Sequence, residues 1–515
     1  MASPPSGIAE AIDIISEDLR QCRIAAPIDV ISEDLLQNIV SRLPAVSFAS
    51  AACVSRSWNV VCDRVLSRPK LASACSFNHT LQDAVEEVVN KVLSEPIRPH
   101  FAIASFGGYH EESCLGEAHQ LITAALGAHV PVISNHPDGI IGKGAISDKV
   151  YEVEWYFRPD EVDSVMLIVG FLPGLKVTII PLLKQIQEPE TVMIDEFVTD
   201  IREFSTSVSG CDSPAAIIMF ADHYYADMRD VIEQLDYAMS PETVIVGDAL
   251  SKFRFTNDAQ FGSSAAVSLV FAVEMNKPPG IGETQFHAVL SSGLSPVGPT
   301  YTTSVIEKTG VFTDIAARRE GSVDNIDGET LLNQVKDELG GEDKFWDLFI
   351  GVTKKRKYSI RQEKVGSMTS LAFHLVLGRS PRGFYVHGGG LKTDDTFRFY
   401  YSNPTTALSS TAAVSSHLRS FNQGRNDTTV VDKVEVFGGL IFACPDTFDK
   451  PNIKSSPFLD NFPGVTLGGS FCSSMIGRRV LTKYVKESQE QKEVQCCVHV
   501  NGSVYLIMSY TPSLN

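Results

Sequence analysis

Two glycine-containing stretches have residue types that could take part in chemistry. The first, His387-Gly388-Gly389-Gly390, has the composition of an esterase oxyanion-hole loop, which works together with a G-x-S-x-G nucleophile turn. The sequence contains no such turn, so we interpret the stretch as a glycine turn between strands. The second, residues 142–147, departs from the dinucleotide pattern G-x-G-x-x-G at its last position and does not clearly open a helix.

The cysteines and histidines form no recognisable catalytic or metal-binding pattern. The ten cysteines are scattered apart from Cys496-Cys497, no CxxC pair occurs, and the twelve histidines lack ligand spacing. At Cys444 the neighbouring charge of Asp446 disfavours the thiolate, so we favour an unreactive buried thiol over a nucleophile. Without a visible nucleophile–base pair, we predict no cofactor, no metal and no enzymatic activity.

Composition, net charge and cysteine usage exclude some classes of protein and favour others. The chain has 515 residues, 43% hydrophobic residues and a net charge of −18, which argues against a general nucleic-acid binder. The cysteine usage suits a reducing compartment, and the start of the chain does not resemble a signal peptide, so we expect a cytoplasmic or nuclear location. The apolar run of residues 165–183 contains Pro173-Gly174, which favours two buried strands and a turn over a membrane helix.

The elements that could position functional side chains follow a repeated pattern. An apolar strand, a helical stretch and a second strand that ends in a glycine turn recur at residues 101–134, 216–247 and 440–468. Further helices are predicted at residues 80–93 and 331–339. We therefore predict an α+β protein, with a small all-α part followed by a large mixed α/β region built from strand–helix–strand units.

Residues 27–71 carry a second pattern. Apolar residues at helical spacing lead to Leu43-Pro44, and a small-residue helix then ends in a V-S-R-S-W segment at residues 54–58. This resembles an F-box, the helical module that docks onto the Skp-type adaptor of a cullin ubiquitin ligase. The resemblance implies adaptor binding through one set of residues: Ile31, Leu35, Leu36, Ile39, Leu43, Pro44, Val54 and Trp58.

The rest of the chain resembles the FIST region of F-box-only proteins. The resemblance rests on several short segments in one order along the chain: residues 130–142, 293–299, 384–399, 439–444 and 462–471. FIST regions are thought to sense small ligands or to bind protein substrates. The family's Gly-Arg after the cysteine is replaced here by Pro445-Asp446. The candidate ligand-binding residues are Ser105, Gly107, Ser134, Gly139 and Cys444.

These resemblances predict a domain order. A tail (1–24) precedes the F-box (25–73), a linker helix (74–97), a FIST N-terminal domain (98–290) and a FIST C-terminal domain (291–515). Residues 12–19 of the tail nearly repeat residues 28–35, either as a duplication without a role or as a mimic of the first F-box helix. The basic run Lys354-Lys355-Arg356-Lys357 is a candidate nuclear-import signal, or equally a solvated loop or strand end.

The resulting expectation is a non-catalytic substrate receptor of an SCF-type (Skp–cullin–F-box) ubiquitin ligase. The F-box would bind the adaptor and through it the cullin, while the FIST region would hold an unidentified protein target; no nucleic acid or membrane partner is expected. The alternative is an intracellular sensor whose FIST region binds a small ligand and gates recruitment.

Overall fold

The computed structural model describes residues 31–107, 112–147, 149–155, 164–183, 190–222, 228–256, 264–308, 312–319, 321–322, 324–340, 348–358, 360, 366–423, 434–445, 453–478, 492–493 and 496–513. Helices and extensive mixed sheets in these ranges confirm the α+β class. The repeated N-terminal segment, residues 12–19, lies outside the described residues.

A small helical segment comes first. Its helices are α1 (Glu33–Val40), α2 (Ala45–Ala52) and α3 (Arg56–Val65). Ser32 and Ser55 cap α1 and α3, because each hydroxyl accepts a hydrogen bond from a backbone N–H of the first turn. Pro44 stands between α1 and α2, where it prevents the first helix from continuing. The three helices bury a small shared core: Leu36, Val40, Phe48, Ala51, Val61 and Cys62.

The body that follows repeats one arrangement three times. Each unit has an outer strand, a helix, a first inner strand, a helix, a second inner strand, a short strand and a returning strand, and the first and third units have additional strands before the returning strand. The first unit comprises β1 (Lys70–Ser76), α4 (Leu81–Val92), β2 (Phe101–Gly107), α5 (Glu112–Leu126), β3 (Val132–His136), β4 (Gly139–Lys143), β5 (Val150–Glu154) and β6 (Ser164–Phe171). The second comprises β7 (Leu175–Leu183), α6 (Glu190–Ser209), β8 (Ala216–Ala221), α7 (Met228–Ala238), β9 (Val244–Asp248), β10 (Lys252–Phe255) and β11 (Ser264–Val273).

The third unit is interrupted by an insertion. Its outer strand, β12 (Glu283–Ser291), is followed by the inserted elements β13 (Leu294–Lys308), β14 (Phe312–Arg319), β15 (Asn325–Ile326), α8 (Gly328–Glu338), β16 (Leu348–Tyr358), β17 (Gly366–Arg379), β18 (Phe384–His387) and β19 (Thr396–Ser402). The unit then resumes with α9 (Pro404–Gln423), β20 (Glu435–Ala443), α10 (Ser456–Asn461), β21 (Thr466–Phe471), β22 (Met475–Arg478), β23 (Lys492–Glu493), β24 (Cys496–His499) and β25 (Ser503–Thr511).

Strand pairing confirms the predicted strand–helix–strand units. In each unit the two inner strands run parallel: β2 with β3, β8 with β9, and β20 with β21. A parallel pair needs a crossover connection, which the helix between the strands supplies. The returning strands β6, β11 and β25 pair antiparallel with the first inner strands, and the outer strands β1, β7 and β12 pair with the returning strands.

The short strand of each unit pairs with a neighbouring unit. β10 of the second unit pairs with β3 of the first, β22 of the third pairs with β9 of the second, and β4 of the first pairs with β21 of the third. These pairings therefore link the first unit to the second, the second to the third and the third back to the first. As a result each unit pairs with both of the others, and the three units form a closed ring.

The main hydrophobic core lies where the inner faces of the three sheets meet. Phe101 of the first unit touches Phe271 of the second at 5.2 Å between ring centroids, and Phe271 touches Phe286 of the third at 5.3 Å. Helices cover the outer face of each sheet and bury a separate apolar layer there. Edge-to-face and tilted ring pairs of this kind add to the gain from area burial.

The insertion closes into a barrel. Its strands follow the order β13-β19-β16-β17-β18-β14, and β13 also pairs with β14. The interior is filled by aromatic and branched side chains such as Phe384, Phe397 and Phe399. The predicted helix at residues 331–339 is confirmed as α8, which packs Leu331 and Val335 against this interior.

The apolar run at residues 165–183 forms two strands, as predicted. β6 and β7 are joined at Pro173-Gly174, where Gly174 has φ +81°, a conformation that glycine adopts without strain. Among the described residues, no helix combines the length and apolarity needed to cross a membrane.

The two predicted FIST halves are joined through shared sheets. β12 lies before residue 291 yet pairs along its length with β25 near the end of the chain. β4 and β5 belong to the sheet of β20 and β21, although the first pair comes from the N-terminal half. The predicted boundaries, including a FIST C-terminal domain at residues 291–515, stay predictions.

Candidate functional sites

The helical segment exposes large apolar side chains although its own core is filled. Leu35 and Ile39 on α1 are 54% and 41% exposed and lie on one side of the helix, and Ile31, just before the helix, is 36% exposed. Val46 on α2, Val54 in the following turn and Val60 on α3 are also exposed. We call these six residues the apolar face. Several large apolar side chains exposed within one short segment indicate an interaction site.

The remaining predicted adaptor-binding residues do not belong to the apolar face. Leu36 is only 6% exposed and belongs to the core of the segment, on the side of α1 opposite to solvent. Leu43 and Trp58 are half-buried and pack against that core. Pro44 is exposed at the start of α2. Of the predicted set, Ile31, Leu35, Ile39 and Val54 are exposed large apolar residues, while Val46 and Val60 were missed by the sequence analysis.

The helical segment that carries the apolar face is held to the body by hydrogen bonds and an ion pair. The N–H of Ala45 donates to the carbonyl of Leu93 at the end of α4. Farther on, Tyr510 Oη donates to the carbonyl of Ser67, and Arg68 pairs with Glu435. These contacts tie the helical segment to both the first and the third unit.

A second candidate site lies where the three units exchange their short strands. The connections from second inner strand to short strand are residues 137–138, 249–251 and 472–474, and the last of them contacts each of the other two. Asp138 accepts a hydrogen bond from Ser473 Oγ at 2.5 Å, and the N–H of Ala249 donates to the carbonyl of Ser474 at 2.9 Å. We call Asn135, Asp138, Asp248, Ser251, Cys472 and Ser473 the central polar cluster.

Asp248 is the electrostatic centre of this cluster. It is fully buried, and burial raises the pKa of its carboxyl to about 7, with a further rise caused by the negative charge of Asp138. The N–H of Leu250 donates to Asp248 Oδ1 at 2.9 Å and acts in the opposite direction. Burial also raises the pKa of the Cys472 thiol, and the Asp248 and Asp138 charges add to that effect.

Buried polar side chains surround the Asp248 carboxylate. Asn135 and Ser251 face it as hydrogen-bond donors and lower its pKa, against the effect of burial. Asn135 Nδ2, Asp248 Oδ2 and Ser251 Oγ have no further partner among the described residues, and all three residues are at least nine-tenths buried. The three side chains therefore depend on one another, because a buried polar atom without any partner costs free energy.

The candidate ligand-binding residues lie at or near this cluster, with one exception. Ser105 donates to Asn135 Oδ1 at 2.8 Å, and Cys444 adjoins Cys472 at the ends of β20 and β21. Gly139 pairs with Phe471 in the exchanged strand β4, and Gly107 lies against the Trp155 ring. Ser134 instead contacts His119 of α5 at 2.8 Å.

The sequence analysis missed the acidic and amide residues of the cluster. Asn135, Asp138 and Asp248 lie in or just after the second inner strands, where the sequence shows only a strand running into a turn. A polar residue at the end of an otherwise apolar inner strand is the signal that could have identified them. Their convergence depends on the cyclic strand exchange, which local sequence does not reveal.

Two other predicted features lie in a strand or in the turn that follows one. His387 ends β18, and Gly388 and Gly390 have φ +86° and +74°, which confirms a glycine turn. The basic run lies inside β16: Lys354 is buried, and Arg356 donates to both carboxylate oxygens of Asp395. Lys355 and Lys357 are the exposed members, so nuclear import stays a prediction that rests on this pair.

Comparison with known proteins places these features in context. The F-box domain model matches residues 28–70, and the FIST N domain model matches residues 101–313. The chain is similar to an F-box/LRR-repeat protein of Arabidopsis thaliana, with 39% identity over 504 residues that cover 92% of each chain.

Proposed function

Because this chain belongs to the F-box proteins that carry a FIST N domain, we propose that it is a substrate receptor of an SCF-type ubiquitin ligase. The apolar face binds the Skp-type adaptor, and through it the cullin. The FIST region, composed of the three units and the inserted barrel, binds the target protein. The receptor contributes no side-chain chemistry, since holding a target close to the ubiquitin-charged enzyme raises its effective concentration.

One observation carries the adaptor assignment: large apolar side chains are exposed on a helical segment whose core is complete without them. Leu35 and Val46 are 54% and 74% exposed, whereas Val40 and Phe48 of the same helices are almost fully buried. Burying Leu35 and Ile39 against a partner would remove apolar area from water, at roughly 25 cal/mol per Å². Leu36, Leu43 and Trp58 support the face from the core side.

The attachment of the F-box to the body supports a positioning role. Contacts run from α2 to α4 and from the segment after α3 to Glu435 and Tyr510. A target bound to the FIST region would therefore keep a fixed orientation relative to the adaptor. An intracellular location follows from the same proposal, because the adaptor and cullin act inside the cell.

A co-purification experiment tests the proposal. The double variant Leu35→Ala/Ile39→Ala removes two exposed anchors without opening the core, and Leu408→Ala, at a 63% exposed position on α9, serves as the matched control. Adaptor and cullin should co-purify with the wild type and the control but not with the double variant. Proteins retained by all three are candidate targets of the FIST region. Equal recovery of the adaptor with the double variant would contradict the proposal.

A ligand-gated form of this function is the alternative. It is favoured by the central polar cluster, where buried polar side chains of different units converge at the carboxyl ends of strands. In that form, a small molecule bound in the FIST region would change the availability of the target surface.

A further inference from the structure

Part of the apolar face is repeated earlier in the same chain. Residues 12–19 have the same sequence as residues 28–35, except that isoleucine replaces valine at the third position. The repeat therefore contains Ile15 and Leu19 where the apolar face has Ile31 and Leu35. We call residues 12–23 the repeat segment. It lies outside the described residues, directly before the helical segment that carries the apolar face.

The structure shows which role of α1 the repeat segment could share. Leu36, which is 6% exposed and belongs to the core of the helical segment, is replaced by Arg20. An arginine is almost never fully buried without a partner, so the repeat segment is unsuited to the place of α1 in that core. Leu35, which is 54% exposed, is retained as Leu19. The repeat segment thus keeps a residue that faces a partner and has lost one that faces the core.

The charges of the repeat segment suit an antiparallel approach to α1. Ile39 of the apolar face is replaced by Arg23. In an antiparallel pair, Arg23 would lie next to the first turn of α1, which carries Glu33 and Asp34. Glu33 also pairs with Arg64, and Asp34 offers a second carboxylate. Opposite charges attract there, whereas a parallel approach would bring two acidic Glu-Asp pairs together.

The connection between the two segments is short. Eight residues, 24–31, separate Arg23 from Ser32, the residue that caps α1. Connections of two to eight residues commonly join neighbouring helices, and Pro27 separates the two helical patterns. A short tether gives the repeat segment an effective concentration of about 1 mM at the apolar face. Even a weak contact between them would therefore be well populated.

We propose that the repeat segment binds the apolar face of its own chain, antiparallel to α1, and competes there with the adaptor. Leu19 contacts Leu35 and Ile39, and Arg23 contacts the acidic first turn. Adaptor binding displaces the segment, so the chain binds its adaptor less tightly than the apolar face alone would. This inference rests on the proposed function, because it describes the regulation of the same face.

Two full-length variants test the competition. Leu19→Asp places a charge against the apolar face and should release the segment. Ile24→Asp makes the same kind of change at the equivalent of Val40, which faces the core rather than the apolar face. In calorimetric titration with purified Skp-type adaptor, Leu19→Asp should bind about threefold to tenfold more tightly than the wild type, and Ile24→Asp should match the wild type. Equal affinity of all three chains, or weaker binding by Leu19→Asp, overturns the proposal.

A second measurement does not involve the adaptor, so it decides the inference even if the proposed function fails. A fluorescently labelled peptide of residues 8–24 is titrated into the Leu19→Asp chain, and its anisotropy is recorded. We expect saturable binding of one peptide per chain, lost when Leu35→Ala/Ile39→Ala is added and kept when the exposed control Leu408→Ala is added. Absence of saturable binding, or binding that survives the double substitution, overturns the proposal. A wild-type adaptor affinity that falls as the chain concentration rises also overturns it, because a second chain would then supply the segment.

Discussion

Single side chains decide what each of the two sites can do. Leu35 and Leu36 are neighbours in sequence, yet Leu35 is 54% exposed and Leu36 is 6% exposed. The first can contact a partner, whereas the second holds α1 on its own domain. At the other site, Asp248 keeps a carboxyl in the protein interior, where the N–H of Leu250 donates to Oδ1 and the side chains of Asn135 and Ser251 face the carboxylate.

The leucine pair gives a prediction that separates stability from binding. Leu36→Ala should reduce the free energy of unfolding of the helical segment by about 2–5 kcal/mol, because it leaves a cavity in a small core. Leu35→Ala should change that free energy little, since the side chain is half in water already. Urea denaturation followed by circular dichroism checks both. Equal destabilisation by the two substitutions would show that the burial assigned to α1 is wrong.

Asp248 gives a prediction about pH. Its pKa is about 7 in the folded chain and near 3.8 when exposed, so between these values the folded state holds a proton that the unfolded state has lost. The stability that Asp248 contributes is thus complete at acidic pH and is lost as pH rises towards 7, by at most roughly 1.4 kcal/mol per pH unit. Asp138, the Cys472 thiol and the N–H of Leu250 face this carboxyl and influence the pH range over which it titrates.

The comparison is with Asp248→Asn, which cannot titrate. Thermal unfolding of both proteins from about pH 4 to pH 8 should show the wild type losing stability relative to the variant as pH rises. Parallel profiles would mean that the carboxyl keeps its ordinary pKa.

At the scale of elements, the short exchanged strands connect the units. β22 brings Arg478 of the third unit against the second unit, where Arg478 Nε donates to Asp236 Oδ1 at 2.6 Å. Arg478 Nη1 also donates to the carbonyls of Ser240 and Thr243. The pair is almost fully buried, with both side chains at most 5% exposed.

Removing one partner of this ion pair should weaken the joint between units. Arg478→Met is expected to lower the free energy of unfolding by roughly 3–5 kcal/mol, because Asp236 and the carbonyls stay buried. The exposed pair Arg379–Glu329 provides the control, since Arg379→Met should cost less than about 1 kcal/mol. Guanidinium denaturation of the two variants measures the difference, and similar small losses would contradict the role assigned to β22.

Individual helices, strands and turns were easier to predict from sequence than the pairing of distant strands. The strand–helix–strand units and the turn at Gly174 are local patterns, so apolar periodicity and turn residues identified them. The barrel and the cyclic exchange depend on pairings between distant residues, such as Gly139 with Phe471. For the same reason Ser105 and Cys444 were proposed for ligand binding, while Asn135 and Asp248 were not.

At the scale of the whole molecule, three units close into one ring and carry the helical segment on their outside. Each of the three sheets of the ring contains strands from two units, and β25 from the end of the chain lies between β12 and β20. The ring should therefore fold as a single cooperative structure, although the sequence reads as two consecutive halves.

Truncation at the C-terminus tests this cooperativity. A chain that ends at Asn501 loses β25 and should fail to give soluble protein, because its removal leaves β12 and β20 without their shared partner. A chain that ends at Thr511 keeps the strand and should remain folded. Soluble yield and circular dichroism distinguish the two. A folded first unit in the shorter chain would show that the units are independent.

The central claim is that the apolar face recruits the adaptor of a ubiquitin ligase. The most direct test is calorimetric titration of purified Skp-type adaptor into the full-length chain, the folded Leu35→Ala/Ile39→Ala variant and the Leu408→Ala control. The account predicts one adaptor per chain, equal affinity for wild type and control, and a loss of tens-fold or more for the double variant, as for anchors at an interface centre. Unchanged affinity of the double variant, or no binding by the wild type, would contradict it.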